Sequence, residues 1–208
     1  MPEKSLSQVN PELRELYQKG NAALQRNNLD YAIAIFEQIL QQEPAFWECR
    51  QALRASQFKK IGANTSFFKK MLGGASSSPL LAKAQMSLRK HPLESLQTAE
   101  QILRSEPSSS AAHKILAEAA LAADLPKTAC LSLEIVLKNS PKDYDVSVQY
   151  GQALARAGQV EKAESVYTDL MRSHPQKGEL AQFLKDLSAR RTMTEGGYEG
   201  LAGGQGSY

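Results

Sequence analysis

The chain has 208 residues, of which 42% are apolar, and a formal net charge of +3. That balance supplies a folded core and excludes a low-complexity or strongly charged disordered chain. Two cysteines without a Cys-x-x-Cys spacing exclude a disulfide framework, no run approaches the roughly 18 apolar residues of a membrane span, and Met-Pro-Glu-Lys-Ser-Leu-Ser holds no apolar leader, so a cytoplasmic protein is expected.

A lead-in over 1–12 precedes a first segment, 13–46, that reads as two amphipathic helices ending at Pro44. A basic helical insertion or linker follows over 47–75. Its first part, 45–61, reads as a helix with Phe46, Leu53, Phe58 and Ile61 apolar and arginines between them. A turn at Gly62–Ser66 leads to the short run Phe67-Phe68-Lys69-Lys70-Met71-Leu72. Gly73 to Pro79 then breaks the chain as a flexible joint. Three further helical pairs are expected over 76–109, 110–143 and 144–177. Leu180, Phe183, Leu184 and Leu187 put an apolar stripe on a capping helix over 178–191. Six glycines between Gly196 and Tyr208 mark 192–208 as a disordered tail.

The four paired segments share one register. Pro107, Pro141 and Pro175 are spaced by 34 residues, and placing them and Pro44 at position 32 aligns the segments without gaps. Position 20 is then Ala32, Ser95, Ala129 and Ala163, small residues where two helices must approach closely. Position 8 is Gly20, Lys83, Ala117 and Gly151, and position 28 the apolar Leu40, Leu103, Leu137 and Met171. In the last segment Tyr150, Leu154, Ala163, Tyr167, Leu170 and Met171 recur at helical spacing on either side of Ala157-Gly158-Gln159. One such pair cannot bury its apolar face alone, so an all-α solenoid of stacked pairs is predicted.

This pattern resembles the tetratricopeptide repeat family, with Phe36 and Tyr167 at position 24 the best matches. Lys83 and Ala99 in the second copy, Lys19 in the first, and Ile39, Ile102, Val136 and Leu170 at position 27 depart from it. The resemblance implies a non-catalytic adaptor or assembly scaffold. The first helices of its repeats would line a groove for a peptide or helix of a partner protein. Carried over by alignment, the groove residues include Tyr17, Gln18, Asn21, Leu24 and Gln25 in the first repeat. The third contributes Lys114, Ile115, Glu118 and Leu121, and the fourth Val148, Gln149, Gln152 and Arg156. Members that clamp a terminal carboxylate use a lysine, asparagine and arginine set of which only Asn21 is met, so that clamp is not expected.

Charge points to a second reading. Between Trp47 and Ala75 stand six basic residues and one acid, whereas the rest of the chain carries 19 basic and 21 acidic residues. Phe58, Lys59 and Lys60, then Phe67, Phe68, Lys69 and Lys70, interleave aromatics with lysines. Peripheral attachment to an anionic surface is therefore the alternative, ranked as acidic protein, nucleic acid and membrane in that order. No enzyme is expected. His91, His113 and His174 lie in different repeats, no spacing suits a zinc site, Gly73-Gly74-Ala75-Ser76 lacks a phosphate-loop lysine, and neither cofactor nor metal is implied.

Overall fold

The computed structural model describes residues 2–63 and 78–202. Ten helices form among them, grouped in two units, residues 1–141 and 142–208. Two signals written into each repeat set the helix boundaries. Each position-32 proline crowds the residue before it out of the helical region. Glu43, Glu106, Ser140 and His174 accordingly leave their helices in the same way, with φ between −140° and −128° and ψ between 62° and 83°. Inside three hairpins the chain reverses through a left-handed residue at position 15: Asn27 (φ 60°), Asp124 (φ 61°) and Gly158 (φ 76°). Asn, Asp and Gly are the residue types that adopt this conformation most readily.

In the first unit α1 (Pro11–Gln25) and α2 (Leu29–Gln42) form the first hairpin, and α3 (Trp47–Ala63) packs on α2. Next come α4 (Ser78–Ser87) with α5 (Pro92–Ser105), and α6 (Ser110–Ala122) with α7 (Pro126–Asn139). Helix α3 also touches α1 and α7, so it lies inside the unit. The second unit holds the hairpin α8 (Tyr144–Arg156) and α9 (Val160–Ser173), with α10 (Glu179–Ala202) packed on α9. Asn10, Ser109 and Asp143 cap α1, α6 and α8 through their side-chain oxygens.

The capping helix runs on to Ala202, past the expected end at 191. No proline follows Pro175 to stop it, and Ala189-Arg190-Arg191 and Met193 are strong helix formers. The expected joint at 73–77 and the run Phe67–Leu72 lie outside the described residues, as do 203–208.

Helix α7 has no capping side chain of its own. The amino-terminal segment supplies one: the Glu3 carboxylate accepts the Thr128 amide at 2.9 Å. Lys4 holds that segment in place, exchanging backbone hydrogen bonds with Ala45 and Trp47 at 2.8 and 3.0 Å and pairing with Glu43 at 2.6 Å.

Packing explains the repeat pattern. Ala32, Ser95, Ala129 and Ala163 at position 20 are all fully buried. The apolar anchor is position 27 (Ile39, Ile102, Val136 and Leu170) more than position 28, where Leu137 and Met171 are only half-buried. Positions 8 and 24 meet across the first and fourth hairpins. A Cβ on Gly20 would stand 2.5 Å from the Phe36 ring, and one on Gly151 2.6 Å from Tyr167. Where position 8 is Ala117 the partner position holds Leu133, whereas Lys83 faces solvent with 60% of its side chain exposed and its neighbour Ala84 is the buried residue. In the first and fourth hairpins the pair sets a glycine against a ring.

Gly20→Ala therefore forces the Phe36 ring aside and should lower stability by about 1–3 kcal/mol, read from the urea midpoint of Trp47, the single tryptophan. Phe36→Leu in the same chain should recover much of that loss although it is destabilising alone. Simple additivity of the two changes would refute the volume pairing.

Candidate functional site

Composition marks the segment from Trp47 as basic, but its two arginines turn inward. Arg50 and Arg54 are 1% and 3% exposed, because Cys49, Leu53, Ser56 and Gln57 bury the same side of the helix. Their charge is met by Glu100 on α5, whose side chain is 12% exposed. Arg50 Nη1 donates to Glu100 Oε1 at 2.6 Å, and Arg54 Nη2 donates to both carboxylate oxygens at 2.9 and 2.8 Å. Arg50 Nη2 also donates to the Pro44 carbonyl at 2.6 Å, and Arg54 Nη1 to Gln57 Oε1 at 2.5 Å.

Burial alone would raise the Glu100 pKa, but Arg54 and Arg50 with their hydrogen bonds outweigh it and hold the carboxyl below its ordinary range. Burial, joined by the neighbouring Arg54, lowers Arg50. Neighbouring His113 is fully buried, with Nε2 2.9 Å from the Pro107 carbonyl, and burial together with Arg54 pushes its pKa down to about 4. Burial likewise pushes the Cys49 thiol up, which leaves it neutral and unreactive.

Beside this cluster α2, α3 and α5 enclose a cleft of about 380 Å³. Leu40, Leu53 and Leu96 line it with Arg50 and Glu100, and an ion pair between Arg104 and Glu37 at 3.2 Å stands over it.

Of the other residues assigned to the insertion, Phe58 is 37% exposed and Lys59 faces solvent. Lys60 pairs with Asp30 on α2. Phe67, Phe68, Lys69 and Lys70 lie outside the described residues. The six basic residues of the segment thus include two that face inward.

The expected groove residues divide between the units. On α1, Gln18 and Gln25 are exposed and Asn21 half-buried. Tyr17 is half-buried against the core, its ring 5.0 Å from Phe46 and 5.9 Å from Phe36. Lys114 and Glu118 are half-buried on α6, where Ile115 is buried. In the second unit Gln149 is half-buried and Gln152 and Arg156 are exposed. The last two help line a cleft of about 270 Å³ between α8, α9 and α10, with Tyr167, Phe183, Asp186 and Leu187. Tyr167 and Phe183 stack there at 5.1 Å, and burial pushes the Tyr167 hydroxyl up to about 12. The apolar stripe of 178–191 pointed to Phe183 and Leu187 as packing residues, whereas nothing local marked Glu100 as the partner of α3.

Among the described residues no three His, Cys, Asp or Glu side chains gather to hold a metal ion, and no helix is long and apolar enough to cross a membrane.

Three hairpins that reverse at the same position and four that leave through the same proline exit define an all-α helical-repeat fold. Residues 145–177, the fourth hairpin, match a tetratricopeptide repeat family model. Solved structures similar to it include MamA 41-end from Desulfovibrio magneticus RS-1, 14% identical over 93% of each chain with a TM-score of 0.45. A tetratricopeptide repeat protein from Parabacteroides merdae ATCC 43184 is 16% identical over 86% of this chain and 73% of that one, with a TM-score of 0.48. TTC0263, a thermophilic TPR protein in Thermus thermophilus, is 15% identical over 85% of this chain and 99% of that one, with a TM-score of 0.40. No curated protein matches the sequence.

The buried cluster is open to direct test. Glu100→Ala leaves two guanidiniums buried without a counter-charge and should cost about 3–5 kcal/mol, whereas adding Arg50→Met and Arg54→Met should recover much of it. Urea unfolding followed at Trp47 measures both.

His113 supplies the pH dependence. Its folded pKa lies below its ordinary value, so its contribution is complete above about pH 6.5 and is lost as pH falls toward 4. Between pH 7 and 5 the loss should reach about 2 kcal/mol. His113→Asn should flatten the pH slope of the Trp47 midpoint relative to the parent, a difference from which Glu3 and Glu37 cancel.

Proposed function

We propose that this chain is a non-catalytic scaffold that holds a peptide or helix of a partner protein on the first helices of its repeats. Tetratricopeptide repeats generally serve protein–protein interaction. The observation that carries the finer reading is the cleft of the second unit, where exposed Gln152 and Arg156 of α8 stand beside an aromatic and aliphatic wall from α9 and α10. An amide and a guanidinium over Tyr167, Phe183 and Leu187 suit a peptide with one apolar anchor and a polar backbone to satisfy. We place the protein in the cytoplasm, consistent with two buried free thiols.

Attachment to an anionic surface through the insertion draws less support. Arg50 and Arg54 are spent inside the fold and Lys60 on Asp30, which reduces the charge that residues 47–63 can offer outward.

Crosslinking mass spectrometry of the tagged chain in nuclease-treated lysate of its native cell tests both readings. A partner crosslinked to the parent and to a Lys59→Glu, Lys60→Glu variant, but lost with Gln152→Ala, Arg156→Ala, supports the groove. Loss only in the lysine variant would overturn it in favour of the insertion.

A further inference from the structure

The segment ahead of α1 crosses the first unit without joining any helix. Residues 3–6 run from the first turn of α7 to the start of α3, and three of them meet three different kinds of partner. Glu3 sets its carboxylate on the Thr128 amide, at the positive end of α7. Lys4 exchanges backbone hydrogen bonds with Ala45 and Trp47 as a parallel bridge, and its ammonium pairs with Glu43. Leu6 donates its amide to Glu48 Oε1 at 3.2 Å and packs its side chain against the core. An acid, a base and an aliphatic side chain are thus each received by a separate part of one surface, made by residues 43–48 and the start of α7. The chain itself shows what fits that surface.

The occupant is held lightly. None of residues 2–8 is buried. The backbone pairing is one isolated bridge, not a ladder, and the Lys4 side chain is 37% exposed, so its ion pair contributes little. Burial raises the Glu3 pKa even though the Thr128 and Lys127 amides oppose it, which puts the ionised cap itself under a penalty. The fit is also incomplete at both ends: Oγ1 of Thr128, a residue 1% exposed, and Glu48 Oε2 are buried without partners. Segments with few buried apolar contacts and solvent-exposed backbone hydrogen bonds open locally before the whole fold does. Opening here frees the first amides of α7, the Ala45 carbonyl with the Trp47 amide, and the carboxylates of Glu43 and Glu48 together.

We propose that residues 43–48 and the first turn of α7 form a docking site for an extended partner segment of the pattern acid-base-x-aliphatic, which the chain's own Glu3-Lys4-Ser5-Leu6 occupies as a releasable latch. Its hinge is the turn at 5–8, where Ser5 and Gln8 hold each other through exposed hydrogen bonds. A tethered latch acts at an effective concentration on the order of millimolar. A partner segment therefore competes when the latch is weakened, or when it also answers Thr128 Oγ1 and Glu48 Oε2. This site lies within the first unit and does not depend on the groove of α8.

Two measurements on the full chain test the proposal. In amide hydrogen exchange of the parent, Thr128 and Trp47, whose N–H groups are held by the latch, should exchange together and about a hundredfold faster than amides in the middle of α3 and α7. A Glu3→Ala, Lys4→Pro variant removes the cap and the Lys4 donor and should keep its full helical circular dichroism. N-acetyl-Pro-Glu-Lys-Ser-Leu-Ser-Gln-amide should bind that variant saturably, shifting the Thr128 and Trp47 amides, about tenfold more tightly than it binds the parent. Its analogue with glutamine for glutamate should bind the variant about fivefold more weakly. Exchange at Thr128 and Trp47 as slow as in the helix interiors overturns the latch, as does loss of helical structure in the variant, since residues 3–6 then belong to the cooperative core. Equal binding to parent and variant, equal binding of the two peptides, or no saturable shift at Thr128 and Trp47 overturns the docking site. Shifts confined to α8 and α10 also overturn it while supporting the groove, which keeps the two sites distinguishable.

Discussion

Glu100 is the fixed point of the first unit. Its carboxylate is shared by two guanidiniums from one face of α3, four residues apart and hence one turn from each other on the helix. Taking three charges out of water costs several kcal/mol per ion before their attraction offsets it. An arrangement of this kind contributes little net stability compared with apolar packing, yet it tolerates no partial occupancy. Shift α3 by one residue along its axis and both arginines lose their acceptor while remaining inside. The ion cluster therefore sets the register of α3 against α5 far more sharply than the leucines around it, which accept sliding at modest cost.

Seating α3 this way changes how the first unit closes. Helix α3 reaches α1, α2 and α7, and the amino-terminal segment follows the same route, pairing with residues 45–47 and placing Glu3 on the first turn of α7. Burial raises the Glu3 pKa even though backbone amides pull it down, the mark of a carboxylate recruited as a cap in a partly dry place. The cap ties the front of the unit to its last hairpin, the bridge ties it to the start of α3, and the ion cluster ties α3 to α5. What composition presents as an insertion between two repeats is the element that those repeats share.

The repeating part of this fold was legible in the sequence because its causes are local. A proline acts on the residue before it, a left-handed turn needs Asn, Asp or Gly at one position, and the contact between positions 8 and 24 spans sixteen residues of one hairpin. Lys83, at a nominally small position, is accommodated because it faces solvent beside Glu94 while Ala84 turns inward. The insertion was not legible for the opposite reason. Arg50 and Arg54 find their acceptor 50 and 46 residues downstream, on a glutamate that looks like any polar position of an amphipathic helix. Charge counting records those arginines only as a positive excess, and nothing in the local pattern announces a buried partner. Tyr17, which alignment put on a groove, is half-buried, and its ring also meets Phe46 at the end of its repeat.

That contrast bears on where recognition chemistry can arise in this molecule. Positions fixed by the repeat are committed to packing: small residues at 20, the anchor at 27 and the reciprocal pair at 8 and 24 leave no freedom for a ligand. Polar residues on the first helices are free of that commitment, and so is the surface created where α3 departs from the period. At the second of these places the fold brings buried charge next to apolar surface, in a dielectric that strengthens every electrostatic contact made there. An exposed lysine such as Lys59 works against bulk water and salt, whereas Arg50 and Arg104 act at the floor and mouth of a cleft with leucine walls. Both guanidiniums are already answered there, Arg50 by Glu100 and the Pro44 carbonyl and Arg104 by Glu37, so the irregular helix uses its charge to fix its own place in the unit.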